Sequence, residues 1–248
     1  MGTTDILALR QQRMLTRFAT SNVLLACDYD GTLAPIASTP DIVRMRIRTW
    51  RLLDEVARRY PTVAISGRSL ADLTQRLAGI PLRGLYGNYG AEPAPKRPPR
   101  SVGVWARQLT ARLSGHAGVV VEDKGYSVTV HYRHARNEAR VAADIRDAAR
   151  TLHGARVLGG VLAVTVLPGH APDKGSALQR ARRRLRCDTA IYLGDDDTDE
   201  DAFASGPPDA LLAVKVGPSG ESKARYHLRR QADIDALLRR LLALRSGA

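Results

Sequence analysis

Cysteine is nearly absent: Cys27 and Cys187 are the only two in 248 residues, too few for a disulfide framework. Cys27 also falls inside a predicted core strand, which suits a reducing, cytoplasmic interior. Long apolar runs are missing too. No stretch approaches the roughly 20 residues of a membrane span, and Asp5, Arg10, Arg13 and Arg17 interrupt the N-terminal region that a signal peptide would keep apolar. Aromatic residues are 5% of the chain and supply no stacking motif. Lysine is scarce, at 5 of 38 basic residues, so the net charge of +13 and pI near 10.4 reflect an arginine bias. The dense run Arg180, Arg182, Arg183, Arg184 and Arg186 would spread around a helix and not form one basic face. Membrane insertion and nucleic-acid binding are therefore not expected, whereas the overall field attracts small phosphorylated molecules.

What is present is a set of polar motifs at the ends of apolar strands. Val23-Leu24-Leu25-Ala26-Cys27 reads as a buried parallel strand and runs into Asp28-Tyr29-Asp30-Gly31-Thr32-Leu33. Two carboxylates at a strand's carboxyl end lie where open α/β sheets bind ligands, and burying them is costly without a cation or a catalytic use. Gly31 permits the sharp turn, and the Thr32 hydroxyl can bond a neighbouring carboxylate. A second apolar strand, Val63-Ala64-Ile65, ends at Ser66-Gly67-Arg68-Ser69, where Ser69 and Asp72 predict a capping box. Taken alone, a serine in the place of Ser66 is more often a helix cap than a phosphate ligand.

Further along, Asp173-Lys174-Gly175-Ser176 opens a helical pattern, so Lys174 stands near a helix N-terminus suited to phosphate. A third strand, Ala190-Ile191-Tyr192-Leu193, leads into Gly194-Asp195-Asp196-Asp197-Thr198-Asp199-Glu200-Asp201, with six acids in seven residues. That density calls for a hard cation, and the run lacks the glycine and terminal glutamate spacing of an EF-hand loop.

These four elements, in this order, resemble the haloacid dehalogenase (HAD) superfamily of phosphotransferases. The segment from Gly194 to Phe203 is similar in particular to the trehalose-6-phosphate phosphatase family, as are Gly87-Asn88-Tyr89-Gly90-Ala91-Glu92, Glu122-Asp123-Lys124 and His131-Tyr132-Arg133. The resemblance covers nearly all of Val23 to Val216. It implies a Mg²⁺-dependent phosphatase that releases trehalose from trehalose 6-phosphate through an aspartyl-phosphate. Asp28 would be the nucleophile, Asp30 the general acid and then base, and Ser66 and Lys174 the groups that stabilise the transferring phosphoryl. Mg²⁺ would be held by Asp28, the Asp30 backbone carbonyl and Asp195, with Asp199 behind them and Asp196 a weaker candidate. Gly67, Arg68, Asn88, Glu122 and Lys124 would bind substrate.

The implied architecture is α/β: a Rossmann-like HAD core with a parallel sheet, formed by residues 1–95 and 169–248, and a smaller α+β cap, residues 96–168, inserted between the second and third motifs. The proline-rich Glu92–Arg100 segment reads as the outgoing linker and Pro168–Pro172 as the return. Phe203 reads as core. The family usually carries Glu and Arg on the last cap strand, where this chain has Thr165 and Leu167. That departure leaves room for a related disaccharide or pseudo-sugar phosphate, and a non-catalytic partner of a sugar-phosphate synthase is a further alternative. A small-molecule sugar phosphate is the expected ligand and a monomer the expected form.

Overall fold

Val23–Cys27 is buried at all five positions, as a strand covered on both faces requires. The computed structural model describes residues 3–37, 42–93, 97–160, 162–218 and 220–246, and the chain divides into two units, Met1–Pro93 with Asp173–Ala248, and Ala94–Pro172.

In the first unit the strands are β1 (Thr4–Asp5), β2 (Val23–Cys27), β3 (Thr62–Ile65), β4 (Gly84–Tyr86), β9 (Thr189–Gly194), β10 (Leu211–Val216) and β11 (Tyr226–Leu228); β5 to β8 belong to the second unit. They form one parallel sheet in the order β1-β11-β10-β9-β2-β3-β4. Because strand side chains alternate, Leu25 and Cys27 point to one face and Leu24 and Ala26 to the other. The first face packs against α1 (Gln12–Ala19), α2 (Ile47–Arg59) and α8 (Ile234–Ser246) through Phe18, Leu53, Val56, Leu237, Leu238 and Leu241. The second packs against α6 (Lys174–Arg184) and α7 (Glu200–Phe203) through Ala177, Leu178, Ala181 and Phe203. Phe203 is core, edge-on to Tyr192. Each large side chain so buried contributes about 1.5–3 kcal/mol.

The chain moves from β2 to β3 on one side and reaches β9 on the other, so β2 and β9 flank the switch point of the sheet, where α/β folds bind ligands beyond the carboxyl ends. Short α3 (Leu70–Arg76) follows β3. Ser69 accepts from the Asp72 amide at its start, but the Asp72 carboxylate turns away to Arg68 and Arg76. Only half of the anticipated capping box forms, because two buried guanidiniums outcompete one backbone amide for that carboxylate.

The second unit holds α4 (Arg100–Leu113), β5 (Val120–Asp123), β6 (Val128–His131), α5 (Glu138–Arg150), β7 (Ala155–Gly160) and β8 (Ala163–Pro168). Its antiparallel sheet runs β5-β6-β8-β7. Val128, Val130, Val164 and Val166 pack against Trp105, Leu109 and Ile145 of the two helices. Ala94, Pro95 and Lys96 of the anticipated outgoing linker lie outside the described residues. Glu92 before them is anchored, accepting from the Leu70 amide and the Asn88 side chain. Both cysteines are free thiols in buried positions. Among the described residues no helix is long and apolar enough to cross a membrane.

Candidate active site

Adjacent strands β3, β2 and β9 end in Ser66, Asp28 and Asp195, so the sheet itself gathers three of the motifs into one place. The fourth arrives from α6. Asp173 caps that helix, accepting from the Ser176 amide while Ser176 answers the Asp173 amide, and this sets Lys174 at the first helical position, 2% exposed. A lysine there faces the unfavourable end of the helix dipole and is held by carboxylates. Its Nζ lies 2.9 Å from Asp199 Oδ1, 3.2 Å from Asp28 Oδ2 and 3.7 Å from Asp196 Oδ1.

Asp199 is wholly buried and organises the floor. Its Oδ1 accepts from Lys174 Nζ and, at 2.6 Å, from Tyr192 Oη; its Oδ2 accepts from the amides of Asp195 and Asp196 at 2.9 and 3.1 Å. All four acceptor positions of the carboxylate are thus in use. Asp196 is engaged locally, accepting from the Thr198 amide and hydroxyl. Asp195 Oδ1 accepts from Thr32 at 3.0 Å, while Gly31, at φ +76°, passes so close that a Cβ there would stand 2.0 Å from Asp195 Oδ2. Only glycine fits that turn.

Asp28 is 4% exposed, and its Oδ1 is buried without a hydrogen-bond partner. One oxygen each of Asp28, Asp195 and Asp199 lie within 4.8 Å of one another. Burial pushes the Asp28 carboxyl well above the ordinary range, and although Lys174 opposes this, the neighbouring Asp199, Asp195 and Asp196 add to it. Asp195 is likewise pushed up to about 7 by burial and by Asp199 and Asp196. Burial alone would lower Lys174, but Asp196, Asp199 and Asp28 raise it, so it remains a cation. One lysine facing four carboxylates leaves excess negative charge. An orphaned carboxylate oxygen among hard oxygen donors fits a divalent cation of the Mg²⁺ type.

Asp30 is 36% exposed and is gripped by Arg68, whose Nη2 and Nε donate to its two oxygens at 2.6 and 2.7 Å. Burial works to lower Arg68, but its bonds to Asp30 and Asp72 raise it further. Ser66 is 1% exposed, its Oγ accepting from the Arg68 amide at 3.3 Å. Gly67 lies beneath the Tyr89 ring, which a Cβ would strike at 2.7 Å. Asn88 and Tyr89 both adopt positive φ, 47° and 58°. Asn88 is 1% exposed and donates to Glu92 at 2.6 Å, which makes it a brace of the loop that wraps Ser66 to Arg68.

In the second unit Glu122 accepts from His131 Nε2 at 2.9 Å and lies 3.7 Å from Lys124 Nζ. The His131 hydrogen bond holds Glu122 below its usual range despite partial burial, with Lys124 assisting. Thr165 is buried and shares a 3.0 Å hydroxyl contact with Thr129. Tyr192, Glu92 and the clamping role of Arg68 were not read from the sequence. Tyr192 carries the pattern of a core strand residue, and its hydroxyl acquires a role only once the turn brings Asp199 beneath it.

A parallel sheet with paired aspartates after one strand, a serine after the next, an acid cluster after a third and a buried lysine on the following helix defines the HAD fold class. The fold is shared with a Bacteroides thetaiotaomicron phosphatase of that superfamily at TM-score 0.62 and 14% identity, covering 88% of this chain and 94% of that one. It is also shared with the C-terminal domain of Candida albicans trehalose-6-phosphate phosphatase at TM-score 0.82 and 22% identity, covering 97% and 98%. The trehalose-phosphatase family model matches residues 26–232, and the chain belongs to that family. A trehalose-phosphate phosphatase of Mycobacterium avium is 37% identical over 210 residues, 77% of this chain and 51% of that protein. The chain spans about half the length of the curated relatives it matches.

Proposed function

We propose that the protein is a Mg²⁺-dependent phosphatase that hydrolyses trehalose 6-phosphate to trehalose and inorganic phosphate. The observation that carries this is the buried, unpartnered Oδ1 of Asp28, set among Asp195, Asp199 and Lys174. A carboxylate oxygen kept out of water and out of hydrogen bonds is available for attack on phosphorus. Family membership and the names of the relatives support the choice of ester.

Asp28 attacks the phosphorus, and the bond from phosphorus to the sugar oxygen breaks, its electron pair leaving with that oxygen. Asp30 supplies the proton the oxygen needs. Water then attacks the aspartyl-phosphate, Asp30 takes its proton, and the bond between phosphorus and Asp28 opens to restore the carboxylate. Lys174 offsets phosphoryl charge, and Ser66, with the Gly67 backbone, donates to its oxygens. Asp28, Asp195 and the Asp30 carbonyl would hold Mg²⁺, with Asp199 orienting them; the ion would neutralise the phosphoryl oxygens and the nucleophile.

The smaller unit acts as the cap in this reading, with Glu122 and Lys124 binding sugar hydroxyls, Glu122 being set by His131. A single chain supplies every group named, so a monomer suffices, and two free buried thiols suit a reducing cytoplasm. The test is phosphate release from trehalose 6-phosphate beside sucrose 6-phosphate and glucose 6-phosphate, with Mg²⁺ or EDTA and an Asp28→Asn control. Selective, metal-dependent release lost in Asp28→Asn is expected. Equal release from Asp28→Asn would overturn the nucleophile assignment.

A further inference from the structure

Arg68 is held from several sides. While two of its nitrogens grip Asp30, Nη1 donates to Asp72 at 2.6 Å. The other Asp72 oxygen accepts from Arg76 Nε at 2.8 Å, and Arg76 Nη1 donates to the Val43 carbonyl. Tyr29 presents its ring to both guanidiniums, 5.5 Å from Arg68 and 5.9 Å from Arg76. The Arg68 side chain is 9% exposed. A planar fork fixed on three sides sets the direction of whatever carboxylate it binds.

Resting on the phosphatase reading above, we infer that Arg68 is a positioning residue, holding the Asp30 carboxylate as the base for hydrolysis of the aspartyl-phosphate, and is not a substrate ligand. The fork uses one acceptor position on each Asp30 oxygen and leaves the second one open. With the side chain 36% exposed, water reaches those positions. Clamped by two N–H donors, Asp30 turns its remaining acceptor positions to water, so the clamped geometry matches the second half of the reaction. There, a water oxygen bonds to phosphorus, the water proton passes to Asp30, and the bond from phosphorus to Asp28 breaks with its electron pair returning to Asp28. In the first half, one arm of the fork must release for Asp30 to protonate the sugar oxygen.

The test is Arg68→Lys, which keeps the charge and loses the fork, assayed with trehalose 6-phosphate and p-nitrophenyl phosphate by steady-state kinetics and acid-quench detection of the phosphoenzyme. Slowing hydrolysis should lower kcat by about 10–100-fold, the scale of a misplaced catalytic group. kcat should fall to one common value for both esters, with kcat/KM largely kept and a burst of phosphoenzyme approaching one per chain. Asp72→Asn, which leaves Arg68 and Asp30 in place but frees one arm, should give the same signature more weakly and covers the case that Arg68→Lys does not fold. A raised KM with unchanged kcat and no phosphoenzyme in either variant overturns the inference and makes Arg68 a substrate ligand. If the unmodified protein releases phosphate from neither ester, the phosphatase reading fails and this one falls with it.

Discussion

Replacing Asp199 with asparagine removes the acceptor on which the site floor is built. The carboxylate is 0% exposed and accepts from Lys174, Tyr192 and two backbone amides. With the asparagine oxygen kept on the two backbone amides, its nitrogen faces the side chains, where the Tyr192 hydroxyl can rotate to accept but Lys174 loses its nearest carboxylate and keeps only Asp28 and Asp196. A hydrogen bond to a buried charged group is worth about 1.5–3 kcal/mol. Relief of repulsion with Asp28 and Asp196 offsets part of this, leaving a net cost of about 2 kcal/mol. Tyr192→Phe removes a single bond to the same oxygen and should cost about 1 kcal/mol. Trp50 reports the first unit and Trp105 the second. Urea unfolding in EDTA, followed by fluorescence in a Trp105→Phe background, therefore reads the relevant unit alone. If Asp199→Asn costs no more than Tyr192→Phe, the carboxylate is not the organising group described.

Gly31→Ala should weaken Mg²⁺ binding by about tenfold or more, since a methyl there displaces the Asp195 carboxylate; titration calorimetry reads this directly. Gly217→Ala, also at positive φ but with no atom within 4 Å, should cost stability while leaving that affinity intact. Burial and the neighbouring Asp199 and Asp196 push the Asp195 carboxyl up to about 7 in the folded, metal-free chain, against an ordinary 3.8. The folded state therefore binds the extra proton between those values, and stability in EDTA should fall as pH rises across that window. Mg²⁺ affinity should run the opposite way, rising with pH toward 7 as the competing proton leaves. Denaturant midpoints and calorimetry at pH 5, 6, 7 and 8 check both slopes.

The candidate site was legible because its residues sit at strand ends. Val23–Cys27 reads as a strand over its observed span, being apolar throughout. The acid run could be placed beside Asp28 without coordinates. Weaker elements escaped: β4 and β11 have three residues each, and β7 ends in two glycines, leaving little periodicity to detect. Asn88, expected to bind substrate, adopts positive φ together with Tyr89 and donates to Glu92, a contact no local pattern signals. The pairing of Arg68 with Asp30 joins residues 38 apart through two loops, and no local pattern announces it.

Crowding Asp28, Asp195, Asp196 and Asp199 around a single buried lysine makes the candidate active site an uncomfortable corner of the fold. Selection for heat resistance in the absence of metal would find its easiest gains there, by neutralising Asp28 or Asp195, and each gain would remove a group the proposed reaction uses. Stabilising changes compatible with activity should therefore collect far from the strand tips, on the outer faces of α2 and α5.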